Sequence, residues 1–387
     1  MRERACDCLK LLSLDCRTGM LNRLLRILVL VLITIIQAQQ SSAQTRFRLI
    51  ETIAGNGLEK PFQEKGRATE IALTNPFGVQ PESDGSLIIA SYDQHVVYRL
   101  EPAFTRLERI AGTGERGFQK GSNLPSTSVP LNQPHEIQID QAGNILIADT
   151  MNHRIGMITQ GSRRWENIAG TGEPGFSGDG GPADKAQFNQ AYSIAVDGND
   201  LFLADLKSHR IRHIDLSTRI VQTICGTGEK RLPTDGGRAI DQPLAGPRSL
   251  AVDEDNLWIV LREGNSVWRY DRSDLRLYHV AGTGKKGFTG DGGDARQCTF
   301  AGPKGITVEP DVALYIADTE NHAIRTIDLR SGTISTLVGA NGKRGFNGDG
   351  DELAQRSLNR PHGVCLLPNG SLLIGDSENH RLRIVRR

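Results

Sequence analysis

One short phrase, Ile-Ala-Gly-x-Gly or a close variant, recurs six times in this 387-residue chain, and that recurrence constrains the fold more than any other feature. The copies begin at Ile53, Ile110, Ile168, Ile224, Val280 and Val338, at intervals of 57, 58, 56, 56 and 58 residues. A fixed interval of this length marks a repeat architecture, in which each unit buries its apolar surface against its neighbours. A second phrase follows each copy after a loop of about 20 residues: LTNPFGVQ from Leu73, LNQPHEIQID from Leu131, FNQAYSIAVD from Phe188, LAGPRSLAVD from Leu244, FAGPKGITVE from Phe300 and LNRPHGVCLL from Leu358. A third phrase reads LIIASYDQHVV, LIADTMNHRI, LFLADLKSHRI, LWIVLREGNSV, LYIADTENHAI and LLIGDSENHRL in the six units.

Each unit therefore holds four short runs rich in Val, Ile, Leu and aromatics, bounded by Gly, Pro, Asn or Asp, and this pattern predicts antiparallel strands rather than helices. In the third unit strand a is SIAVD, b is LFLAD, c is HRIRHID and d is IVQTICG. Four strands repeated radially make a propeller blade. The sixth unit stops after a, b and c, whereas the first run beyond the leader, FRLIETIAGNG, is a lone d. Pairing the two closes the ring and removes its free edges. The predicted class is all-β, a six-bladed β-propeller of four-stranded antiparallel blades whose N-terminal strand completes the last blade. The 43 glycines, without the Ser or Gln excess of a disordered chain, fit many tight turns.

The phrases resemble the NHL-repeat family, through Asn152-His153, Asn321-His322 and Asn379-His380, two of them preceded by Ala-Asp-Thr. The Gly-Asp-Gly-Gly loops at Asp179 and Asp291 are similar to those of bacterial members and of the teneurin propeller. The resemblance covers about residues 47 to 387 and rests on six registered copies. The fourth unit departs from the motif, with Leu261 and Asn265 in place of Asp and His, so its b–c turn is expected to be held differently.

Residues 1–43 read as a leader, with scattered basic residues, the apolar run ILVLVLITII and then QAQQSSAQ. Ser41 and Ala43 fit a cleavage site before Gln44, and Met20 would open a leader of more usual length. The expected organisation is thus a leader at 1–43 and an exported propeller at 44–387; the alternative is an N-terminal membrane anchor, for which the apolar run is short. Without the leader, 40 basic residues face 42 acidic ones, a net charge near −2 that does not attract nucleic acid. Cys225, Cys298 and Cys365 remain, an odd number with no disulfide framework. A monomer with no membrane span in the mature chain is expected.

Strand direction alternates within a blade, so the long d–a loops and the b–c turns share one face of the disc, where contacts with a ligand are expected. Two columns of that face recur too regularly to build one asymmetric site. The Asp column (Asp149, Asp205, Asp318, Asp376) and the His column (His95, His153, His209, His322, His380) are read as bonding their own turns. The Gly-Asp-Gly-Gly loops have one acid each, too few for calcium, and lack the Gly-Lys-Ser/Thr of a P-loop; they read as turns, with Phe188, Phe300 or Leu358 packing between blades.

The column where the copies disagree lies just before strand a: Phe77, His135, Tyr192, Arg248, Lys304 and His362, with Glu136 following His135. A closed ring brings these side chains to the channel mouth. Two readings follow. In the first, the mouth is a binding site for a protein segment, a glycan or a small anionic ligand, because cations and histidines outnumber the single carboxylate. In the second, His135, Glu136 and His362 hold a divalent metal with an open position for water, making a metal-dependent hydrolase or lyase. Among propellers of similar architecture, the peptidyl-hydroxyglycine lyase uses histidine-held zinc and lactonases use several acidic ligands. This chain has neither pattern in full, since only Glu136 is acidic in the ring and His213 and His279 fall elsewhere in the repeat.

Overall fold

The computed structural model describes residues 46–387; the expected leader at 1–43 lies outside them. In the third unit the four runs form Ala191–Asp197 (a), Asp200–Asp205 (b), Arg210–Asp215 (c) and Val221–Cys225 (d), each antiparallel to the next. Short polar turns such as that between Asp197 and Asp200 leave no room for a crossover, so neighbours in sequence are neighbours in the sheet. The other units repeat this order, with strand a at Pro76–Pro81, Pro134–Ile139, Pro247–Val252, Gly305–Glu309 and Val364–Leu366. The a strands of successive blades lie against one another, as do those of the sixth and the first, so strand a lines the axis.

Closure is as expected. Leu49–Ala54 pairs with Arg381–Arg386, placing Leu49 opposite Arg386 and Ile50 opposite Val385. Ile50 is fully buried, and side chains of its class contribute roughly 1.5–3 kcal/mol each when removed from water. Three blades carry a fifth strand, at Lys65–Arg67, Leu124–Pro125 and Gly237–Arg238, where the d–a loop runs back along strand d. In the other three a single bridge does the same, between Pro182 and Ile220, Asp294 and Thr333, and Ile50 and Gly350. The loop thus covers the outer edge of each blade, whose backbone groups are otherwise a template for pairing.

Apolar side chains pack between blades. Phe188 is fully buried with Leu146 and Ile155 of the second blade and Ile194 and Leu203 of its own, and Phe300 bridges the fourth and fifth in the same way.

The recurrent polar columns hold the long-loop face together. Asp149 accepts from the Asn132 amide at 2.7 Å, from Asn152 at 2.8 Å and from the Arg154 guanidinium at 2.8 Å, tying its own turn to its own loop. The histidines do something else. Nδ1 of His95, His153, His322 and His380 accepts from the backbone amides of Gln133, Gln190, Arg360 and Asn75, each on the following blade. The own-turn expectation is corrected there, because each of these histidines sits in the left-handed region, with φ of 51° to 55°, and its ring turns outward to the neighbouring blade. Asn265, with φ 42°, performs the same task through Oδ1 toward Gly302 at 2.9 Å. Leu261 is fully buried and offers no acceptor to the Ala245 amide, the counterpart of Asn132.

The acids of the Gly-Asp-Gly-Gly loops have a structural partner. Asp179 and Asp291 pair with Arg212 and Arg325 at 2.7 and 2.8 Å, and Asp349 pairs with Arg383 at 2.9 Å. These arginines of strand c are almost wholly buried, and each is capped by a loop phenylalanine: Phe176, Phe288 or Phe346.

Candidate functional site

Strand a is entered through a left-handed residue before a proline or alanine in all six units, at Asn75 (φ 48°), Gln133 (56°), Gln190 (67°), Gly246 (71°), Gly302 (54°) and Arg360 (45°). This kink sends the side chain two residues later toward the axis at the long-loop face, the reason the disagreeing column converges there. Phe77, His135, Tyr192, Arg248, Lys304 and His362 are all at least nine-tenths buried and in mutual contact. Phe77 stacks on His362 at 3.9 Å between ring centroids and meets His135 edge-on at 5.0 Å. His135 meets Tyr192 edge-on at 4.5 Å, and the Arg248 guanidinium lies over the Tyr192 ring at 3.5 Å. The aromatic half of the ring comes from the first three blades and the cationic half from the fourth and fifth.

Five of them, Phe77, Tyr192, Arg248, Lys304 and His362, floor a cavity of about 530 Å³, in the range of small-molecule sites, while His135 packs beneath Phe77 and Tyr192. Its walls come from the b–c turns, through Tyr92, Asp93, Arg262, Glu263 and Glu378, and from Asn75, Gln190 and Arg360 beside strand a. The wall residues escaped the sequence reading. Those of the b–c turns occupy the two positions after the Asp column, where the units read Tyr92-Asp93, Leu206-Lys207, Arg262-Glu263 and Ser377-Glu378, and that variation was the available signal.

Both ring histidines are neutral. Burial first, then the charges of Arg248 and Lys304, hold His135 and His362 well below the ordinary imidazole value. Arg248 Nη2 donates to His135 Nε2 at 3.2 Å, and Lys304 Nζ to His362 Nε2 at 3.2 Å, while His362 Nδ1 donates to Arg360 O at 2.9 Å. Lys304 also pairs with Glu320 at 2.9 Å. Although burial opposes it, hydrogen bonds from Arg360 and Lys304 with their charges bring the Glu320 carboxyl down to about 2.

Glu136 is not part of this floor. It lines a second cavity of about 180 Å³ further along the channel, where its Oε2 accepts from Ser193 Oγ at 3.5 Å. Successive side chains of an extended segment leave on opposite sides, so His135 and Glu136 face different spaces. The metal expectation built on His135, Glu136 and His362 is corrected accordingly. The carboxylate is elsewhere and a cation already occupies Nε2 of each histidine; among the described residues no group of three or more His, Cys, Asp or Glu side chains forms a metal site. Cys225, Cys298 and Cys365 are buried free thiols.

Six four-stranded units around an axis, closed by the first strand and carrying an asymmetric pocket at one end, define a six-bladed propeller with a mouth site. The chain belongs to the NHL-repeat propeller family. The NHL repeat matches residues 358–385 and the teneurin NHL domain matches residues 274–348. NHL repeat-containing protein 2 of Gallus gallus is 30% identical over 287 residues, covering 66% of this chain and 39% of that protein. Protein SUPPRESSOR OF QUENCHING 1, chloroplastic, of Arabidopsis thaliana is 30% identical over 278 residues, covering 69% of this chain and 26% of that protein. The chain thus spans well under half the length of these curated relatives. An auxiliary nutrient binding protein of Bacteroides thetaiotaomicron has the same fold, with a TM-score of 0.63 at 17% identity, over 87% of this chain and 76% of that one. Among the described residues no helix is long and apolar enough to cross a membrane.

Proposed function

We propose that this protein is an exported binding module that takes a small polar ligand, or the end of a larger one, into the channel mouth. The observation that carries the reading is the 530 Å³ cavity, floored by five side chains of a ring whose six equivalent positions hold five different residue types. A ring that served only to pack the axis would be satisfied by one repeated residue, as the Asp and His columns are. The rigid scaffold supports recognition by pre-organisation: the floor side chains are locked by stacking and hydrogen bonds before any ligand arrives. The propeller named as an auxiliary nutrient binding protein is an analogy of fold alone.

The test is a thermal-shift screen of a metabolite and glycan library against the protein purified from an exporting host, beside a Lys207→Trp variant. Lys207 is exposed and lines the cavity, so a Trp there fills the mouth without touching the floor. Ligands that stabilise the parent and not the filled variant support the mouth; ligands that stabilise both equally place recognition elsewhere.

A further inference from the structure

Five arginines of this propeller are at least nine-tenths buried, and four of them have carboxylates. Arg154 pairs with Asp149 at 2.8 Å, Arg212 with Asp179 at 2.7 Å, Arg325 with Asp291 at 2.8 Å and Arg383 with Asp349 at 2.9 Å. Arg248, only 5% exposed, has none among the described residues. Its Nη2 reaches a neutral histidine, its face covers Tyr192, and its Nε is buried without a partner. A buried charge is held only when it is paired, so the floor is one anion short.

The neighbours lead to the same count. Lys304, Arg360, Arg248 and the wall residue Lys207 stand against Glu320, Glu378 and the wall residue Asp93, four cations to three carboxylates, while Arg262 and Glu263 neutralise each other at 3.0 Å. The count holds below the Lys304 pKa, which burial brings down to about 7. One positive charge remains. The walls specify what surrounds it, because Asn75 Oδ1 and Glu263 Oε2 are buried acceptors without donors on the cavity lining. Acceptors beside an unpaired guanidinium suit a molecule with one carboxylate and several hydroxyls. A phosphate carrying about two charges at neutral pH exceeds the single vacancy and meets Glu263, Glu378 and Asp93 on the walls.

We propose that the mouth holds a hydroxy-carboxylate of the uronic or aldonic acid class, its carboxylate paired with Arg248 and its hydroxyls donating to Asn75 and Glu263. The inference rests on the mouth-binding reading and specifies its ligand chemistry. Arg presents two parallel donors to a planar carboxylate, which sets both affinity and orientation.

Titration calorimetry with the protein from an exporting host, at low salt, separates the two claims. D-glucuronate and D-gluconate are the probes, with D-glucuronamide and inorganic phosphate as controls. At least one of the two acids is expected to bind, glucuronamide about tenfold or more weakly than glucuronate, and phosphate no better than either acid. Arg248→Gln is expected to remove the preference for the acid over the amide, and Arg248→Lys, which keeps the charge without the fork, to recover part of it. Equal binding of acid and amide overturns the carboxylate assignment and leaves the mouth reading standing. Tighter binding of phosphate, or no heat from either acid, also overturns it. Should Arg248→Gln fail to fold, the comparison of acid, amide and phosphate on the parent protein decides alone.

Discussion

Replacing Glu136 by Gln should stabilise the protein, and by an amount that depends on pH. The carboxyl lies in the interior of the channel, where burial pushes its pKa from 4.5 up to about 8 against the opposing Ile137 amide, Ser193 hydroxyl and Arg248 charge. The folded state therefore holds the neutral acid while the unfolded chain ionises. Between pH 4.5 and 8 the folded protein binds the extra proton, so stability falls as pH rises, by about 1.4 kcal/mol per pH unit. At pH 7 the accumulated cost is about 3 kcal/mol, an upper value because Glu136 borders a cavity open to water. Gln has the same shape and never ionises. Relative to the parent, Glu136→Gln should be indistinguishable near pH 4.5, gain up to about 3 kcal/mol at pH 7 and level off above pH 8. With an unfolding entropy of roughly 2.1 cal/mol/K per residue, 3 kcal/mol corresponds to a Tm increase of about 4 °C for a domain of this size. Calorimetric scans of both proteins from pH 4.5 to 9 measure the gap directly. A gap that does not change with pH, or a variant less stable than the parent at pH 9, would show that the carboxylate is ionised and well solvated in the fold.

Two other outcomes follow from the polar framework and the thiols. His153→Asn should be nearly neutral in urea denaturation, because Asn265 makes the same inter-blade bond from the same left-handed backbone, whereas His153→Ala should cost about 1 kcal/mol or more by orphaning the Gln190 amide; equal costs for both would refute the role of the ring nitrogen. Burial raises the thiol pKa of Cys225, and of Cys298 and Cys365 to about 11 and about 12, so these thiols should stay unlabelled by a disulfide reagent at pH 8 until denaturant is added; rapid native labelling of any of them contradicts the burial.

Much of this molecule is written in local chemistry. Six registered phrases determine four strands per blade, because alternation and turn residues act over a few neighbours, and the incomplete first and last units determine the closure between Leu49–Ala54 and Arg381–Arg386. The disagreeing column was legible for a related reason, since equivalent positions in a closed ring must meet at the axis. What the tertiary structure decided were relations between blades and the direction of each side chain. His95, His153, His322 and His380 bond the next blade rather than their own turn, because a left-handed residue turns its ring outward. Glu136 leaves the strand on the opposite side from His135 and so belongs to a different cavity. The unpaired charge of Arg248 was invisible in composition, because whether a guanidinium has a carboxylate depends on which loops fold back to reach it: Asp179, Asp291 and Asp349 reach strand c arginines, and none of them reaches the floor of the mouth. Sequence periodicity sets the scaffold through short-range physics, while the character of the site comes from contacts between residues distant in the chain.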